Sequence, residues 1–173
     1  MNVKFHELVR ASFISFIALI SSIGCASESV WSNSPIGRCY SSISEYMIQT
    51  FGSDYQEDEN LKITNAADNE KYKWAYDATP GKNITRVLFE IGQDSACVIL
   101  YIPLASTVLT DKSDCKFTDV PKYFVSRDTP PPGFPETEIY FYRNKKGLFG
   151  PVDCYHVINR RKQSIDCNKA FVN

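Results

Sequence analysis

The stretch ITRVLFEIGQDSACVILYIPL, residues 84–104, limits the fold more than any other part of the chain. Two long apolar runs flank GQDS, a turn-forming tetrapeptide, which reads as a hairpin. A symmetric turn centred on Gln93 and Asp94 pairs Ile91 with Ala96, Phe89 with Val98 and Val87 with Leu100, giving one dense apolar face. The other face then pairs Leu88 with Ile99 and Arg86 with Tyr101, and sets Cys97 opposite Glu90. The second run is apolar on both faces, which predicts a central strand. Pro103 falls near its end, where a missing donor is tolerated.

The segments around this pair carry the same signature. LKIT at 61–64 is a short strand. KYKWAYDAT alternates, with Tyr72, Trp74 and Tyr76 on one face and Lys71, Lys73 and Ala75 on the other. KYFVSR and TEIYFYRN are further strands, the latter placing Ile139 and Phe141 opposite Glu138, Tyr140 and Tyr142. Between them, DTPPPGFPE holds four prolines in six residues, a stiff polyproline-like crossing. Pro132 and Pro135 fit the P-x-x-P pattern of SH3 ligands, but a loop is the simpler reading. One segment departs from the pattern. In CYSSISEYMIQTFG, Tyr40, Ile43, Met47 and Phe51 recur on one helical face, and Gly52 is a natural stop. The acidic run SDYQEDEN after it lacks the glycine and ligand spacing of a calcium loop. The expected architecture is α+β: an N-terminal helix packed on an antiparallel sheet, disulfide-stabilised, with a small β-barrel as the alternative.

The N-terminus sets the compartment. Lys4 and Arg10 precede a charge-free run from Ala11 to Gly24, the pattern of an export signal over residues 1–24. Cys25 follows Ser22-Ile23-Gly24, which approximates a bacterial lipoprotein box and makes Cys25 a candidate for lipidation. The other reading is ordinary cleavage after Gly24 or Ala26. Residues 25–38 are small and polar and read as a tether, leaving 39–173 as a single β-rich domain. Export predicts the periplasm, or anchoring at the outer membrane, if the source is bacterial, and secretion otherwise. The sequon at Asn83 matters only in a eukaryotic source.

Export also governs the cysteines. Cys25, Cys39, Cys97, Cys115, Cys154 and Cys167 enter an oxidising compartment, where disulfides persist. Six pair completely if Cys25 stays unmodified, and five leave one over if it is acylated. Fifteen connectivities are open. The segment CYHVINRRKQSIDC narrows one of them. A hairpin turning at Arg160-Arg161 sets Val157 against Ser164, His156 against Ile165, and Cys154 against Cys167. A Cys154–Cys167 clasp follows, in preference to a metal site, which would need more ligands and reduced thiolates.

Little else points to chemistry. His156 is the one histidine beyond the signal, so a zinc site rich in histidine is excluded and any triad must use it as base. Glu136 and Glu138 lie two apart on one strand face, the raw material of a glycosidase pair. No phosphate-binding loop, nucleophile elbow or dinucleotide fingerprint occurs. No cofactor and no metal is implied. The net charge of −1 gives no global field for nucleic acid. Membrane contact is expected only through Cys25. From Arg143 onward seven basic residues face two acidic ones, and Arg143, Lys145, Lys146, Arg160, Arg161 and Lys162 form a candidate binding surface. The two basic groups fall at opposite strand ends, however.

The leading expectation is an exported, non-enzymatic binding protein with a protein partner, an inhibitor or an immunity-type protector. The alternatives are a hydrolase using His156 or the Glu136/Glu138 pair, and a β-barrel carrier of an apolar ligand, suggested by ten tyrosines and eleven phenylalanines.

Overall fold

The computed structural model describes residues 31, 33–66, 70–78, 84–105, 107–110, 120–128 and 130–170. The export signal, Cys25, the Asn83 sequon and Cys115 lie outside them. The described residues are mostly β-sheet with one α-helix. In chain order the elements are β1 (Cys39–Tyr40), α1 (Ile43–Phe51), β2 (Leu61–Asn65), β3 (Tyr72–Asp77), β4 (Ile84–Ile91), β5 (Ala96–Ala105), β6 (Thr107–Thr110), β7 (Tyr123–Arg127), β8 (Glu136–Arg143), β9 (Phe149–Ile158) and β10 (Arg161–Ile165).

The strands form two antiparallel five-stranded sheets, ordered β1-β5-β4-β3-β2 and β10-β9-β8-β7-β6. The single sheet expected from sequence is therefore two, and neither closes into a barrel. Leu88, Leu100, Ile102 and Trp74 of the first sheet share one buried cluster with Phe124, Ile139, Phe141 and Phe149 of the second. Aromatic rings join the layers. Trp74 meets Phe124 edge-on at 5.6 Å between centroids, and Phe124 meets Phe149 at 5.0 Å. A second cluster combines Ile43, Tyr46 and Met47 of α1 with Ala75, Val87, Phe89 and Val98, on the opposite side of the first sheet.

The helix starts and stops by ordinary capping. Ser42 accepts a hydrogen bond from the Glu45 amide at 3.1 Å, and Glu45 reaches back to the Ser41 amide at 2.7 Å. Gly52 ends it at φ 95°, with its amide on the Ile48 carbonyl. The helical face differs from the expected one at both ends. Tyr40 belongs to β1, and Phe51 is exposed on the last turn.

The β4–β5 hairpin keeps the expected register for three pairs, Ile91–Ala96, Glu90–Cys97 and Phe89–Val98. A bulge then intervenes, so that Leu88 faces Leu100 and Val87 faces Tyr101. The extra residue lets Ile99 and Leu100, adjacent in sequence, both enter the core between the sheets. The pairing slips again between Ile84 and Arg86, beside Pro103, which has no amide to donate. Nor is β5 central. It is second from the edge, and β1 pairs only with Ala96 and Cys97.

Among the described residues two disulfides secure the sheets. Cys39–Cys97 joins directly opposed residues of β1 and β5. Cys154–Cys167 closes the last hairpin, but in another register than the symmetric one. The turn falls on Asn159 and Arg160, both at positive φ, and Cys154 pairs with Ile165. Asparagine tolerates the left-handed region, which favours the turn one residue earlier. Cys167 therefore lies beyond the strand, in a short 3₁₀ turn capped by Asp166, which returns its Cα to 5.2 Å from Cys154. Disulfides of this kind belong to an oxidising, exported setting. No helix among the described residues is long and apolar enough to cross a membrane.

The described end of the stretch that reads as a tether is fastened. Trp31 donates to the Cys167 carbonyl at 2.9 Å and meets the Phe141 ring at 5.7 Å. Gly37 and Arg38 exchange backbone hydrogen bonds with Val98, at 2.8 and 2.9 Å. Its tryptophan and isoleucine supply apolar surface that a run of small polar residues would lack.

Candidate functional site

The outward faces of the two sheets differ. Ile43, Tyr46 and Met47 of α1 share a buried cluster with residues of the first, whereas among the described residues no α-helix side chain belongs to the cluster that holds the second. Alternation along β7, β8 and β9 puts Tyr123, Tyr140, Tyr142 and Tyr155 on that second face. Their rings form a continuous group. Tyr140 and Tyr142 stack at 6.5 Å, Tyr123 lies 6.4 and 5.8 Å from these two, and Tyr155 meets Tyr140 edge-on at 5.9 Å.

Beneath the rings lies a carboxylate. Glu138 is on β8, paired with Arg127 on one side and Tyr155 on the other, and its side chain is only 3% exposed. A charge buried to that degree needs partners. Arg127 Nε donates to it at 3.1 Å, the Tyr140 hydroxyl donates at 2.6 Å, and Lys162 Nζ makes a short ion pair with it. Lys162 also reaches the Tyr140 hydroxyl at 2.7 Å and stands over the Tyr140 and Tyr155 rings. Burial pushes the Glu138 carboxyl up, but the Lys162 and Tyr140 hydrogen bonds and the charges of Lys162 and Arg127 outweigh it, holding the group below its ordinary value. The same hydrogen bond from Lys162 to Glu138 holds the ammonium above its usual range. Tyr140, donating to Glu138, is also raised.

These directions fix a pH window. A depressed carboxylate adds stability above its unfolded value, about pH 4.3, and that contribution drains as pH falls through the folded value. Raised Lys162 and Tyr140 keep theirs below about pH 10 and lose it above their folded values. Glu138→Gln is therefore expected to cost about 1–2 kcal/mol near neutrality, discounted because Lys162 and Arg127 are both over 40% exposed. In thermal melts the gap between wild type and Glu138→Gln should narrow at pH 3. An equal gap at pH 3 and pH 7 would show that the ionised cluster is not its source.

The residues singled out from sequence fall in several places. Lys162 is paired with Glu138, with its own side chain 44% exposed. Arg143, Lys145 and Lys146 stand at the β8–β9 turn, and Arg160 and Arg161 at the β9–β10 turn, at opposite ends of β9. Ten residues separate those ends, about 30 Å at 3.3 Å per residue. Cys154 and Cys167 are bonded to each other.

The catalytic candidates do not converge. Glu138 is held ionised, whereas a glycosidase acid needs its proton. Among the described residues His156 has no hydrogen bond or ion pair to a serine, cysteine or carboxylate. Burial raises the nearby Asp128 carboxyl, with His156 acting on it only weakly and electrostatically. No group of three or more potential metal ligands occurs among the described residues.

The alternation in TEIYFYRN already placed Glu138, Tyr140 and Tyr142 together. Arg127 and Tyr123 could join them only once β7 was paired with β8. What the fold and this face define is a two-sheet, disulfide-clasped protein with one tyrosine-rich outer surface. The chain matches no protein-family model, no curated protein and no solved structure.

Proposed function

We propose that this is an exported, non-enzymatic binding protein that acts by protein–protein contact, as an inhibitor or an immunity-type protector, through the tyrosine face of the second sheet. The observation that carries the reading is the set of four tyrosines gathered on the outer face of the second sheet and braced by Glu138 and its cations. Tyrosine offers large contact area with a polar tip and only two side-chain torsions to freeze, which is why it is enriched at recognition surfaces. Hydrogen bonds to Glu138 and from Lys162 hold Tyr140 before a partner arrives, which lowers the ordering cost of binding. Arg143, Lys145 and Lys146 flank the Tyr142 end and would steer an acidic partner. The site of action is the periplasm for a bacterial source and the extracellular space otherwise, with anchoring if Cys25 is acylated.

A test begins with a partner captured from the native compartment and purified. Replacing Tyr123 and Tyr142 together by serine is expected to weaken binding at least thirtyfold, the loss of about 2 kcal/mol typical of one strong interface contact. Replacing Lys145 and Lys146 by alanine should change affinity by less than about tenfold, mostly through the association rate. Undiminished binding by the folded tyrosine variant would reject this surface.

A further inference from the structure

The β2 edge of the first sheet has a fixed hydrogen-bonding parity. The Ala66 amide donates to the Tyr72 carbonyl at 2.8 Å, and the Ala78 amide to the Asn60 carbonyl at 2.6 Å. Between these two pairs the β2–β3 register runs without a shift, from Leu61–Asp77 to Asn65–Lys73. Backbone groups along an antiparallel strand point alternately toward and away from the neighbour. Lys62 and Thr64 therefore bond to β3, whereas Leu61, Ile63 and Asn65 direct their amides and carbonyls outward. The Leu61 amide is taken by the Asp58 carbonyl at 3.1 Å. β2 ends its sheet, and among the described residues no strand or loop takes the outward groups of Ile63 and Asn65. Proline, a bulge or a row of charges would blunt such an edge. β2 has no proline and no bulge, and its one charge is Lys62.

A cavity of about 310 Å³ meets this edge at Ile63. It lies between the start of α1 and the sheet, lined also by Lys73 of β3, Ile91 of β4, Ser42, Ser44 and Ser95. No acidic side chain lines it, and among the described residues the half-buried Lys73 makes no ion pair. Directly opposed residues of neighbouring strands share a face. A strand laid beside β2 would thus send the side chains opposite Ile63 and Asn65 to the cavity side. Asn65 pairs with Lys73, so the residue opposite Asn65 stands in line with that lysine, two strand spacings or about 10 Å away between backbones. A lysine and a glutamate reaching toward each other span that distance. Lys62 on the edge favours the same sign of partner.

We propose that β2 takes an extended segment of a partner protein as a sixth strand, and that an acidic side chain of that segment enters the cavity toward Lys73. Main-chain hydrogen bonds at Ile63 and Asn65 give the affinity, and the cavity gives the selectivity. This edge belongs to the other sheet from the tyrosine face and does not depend on that surface. The probe is the peptide Lys-Thr-Val-Glu-Val-Thr-Lys, capped at both ends, titrated into the full exported protein and followed by amide NMR. The Ile63 and Asn65 amides should gain protection from hydrogen exchange. Lysine in place of the peptide's glutamate should weaken binding at least tenfold. N-methylation of the glutamate amide, which faces β2, should do the same, and N-methylation of the valine after it should not. Lys73→Glu should invert the preference between the two peptides. Ile63→Pro should stay folded, because the lost donor faces away from β3, and should bind neither. Serine at both Tyr123 and Tyr142 should change nothing. No binding of the glutamate peptide, equal binding of the two peptides, undiminished binding by Ile63→Pro, or an unchanged preference in Lys73→Glu would each overturn the proposal. So would lost binding in the folded tyrosine variant, which would put the peptide on the other sheet.

Discussion

Serine at both Cys39 and Cys97 is expected to lower stability by about 4 kcal/mol, read in denaturant titrations under non-reducing conditions. The bond spans 58 residues of chain, from β1 to the start of β5. Chain-entropy arithmetic for a loop of that size gives about 4 kcal/mol, against about 3 kcal/mol for the 13-residue separation of Cys154 and Cys167. The larger effect also has a structural reason. β1 is two residues long and pairs with β5 at Cys97 and Ala96 only, too few hydrogen bonds to hold an edge strand alone. The order of the two losses is the discriminating result. A larger loss at Cys154/Cys167 would mean that the first sheet keeps its edge without the covalent link.

Phe124→Ala is expected to cost about 3–5 kcal/mol, and to cost it without changing either disulfide. Phe124 is fully buried on β7 and touches Trp74 of the opposite sheet and Phe149 of its own. Its removal leaves a cavity at the junction of the layers, which rigid sheets refill poorly. For a domain of this size the melting temperature should fall by roughly 10–15 °C. Tyr142→Ala provides the contrast. That ring is 38% exposed, and its loss should lower stability far less than the loss of Phe124. Comparable losses at the two positions would contradict the division into a packed inner face and a presented outer one.

How far the sequence reveals this arrangement depends on what is asked of it. Period-two alternation located the long strands and separated the inner Ile139 and Phe141 from the outer Tyr140 and Tyr142. The apolar faces of β5 were legible too, but their meaning was not. Double-sided burial reports cover above and below a strand, not neighbours to left and right. β5 has that cover from the second sheet on one side and from the cluster holding Met47 on the other, while lying next to an edge. Register was legible near turns and failed beyond the bulge at Ile99, because an inserted residue leaves no mark on composition. In the last hairpin the choice between turns at 159–160 and 160–161 hinged on one asparagine. The site was partly legible. Tyr140 and Tyr142 follow from alternation within one strand, whereas Tyr123, Tyr155 and the Glu138 cluster need the pairing of β7, β8, β9 and β10.

The two disulfides among the described residues each stay with one sheet, Cys39–Cys97 in the first and Cys154–Cys167 beside the second. Among the described residues no covalent bond other than the backbone itself crosses the seam between the layers. β5 ends at Ala105 and β6 begins at Thr107, so the chain passes from one layer to the other almost without a loop, like the hinge of a folding case. Trp31, reaching the Cys167 carbonyl and the Phe141 ring, acts as a latch. Parting the layers therefore opposes aromatic packing but breaks neither the Cys39–Cys97 nor the Cys154–Cys167 bridge.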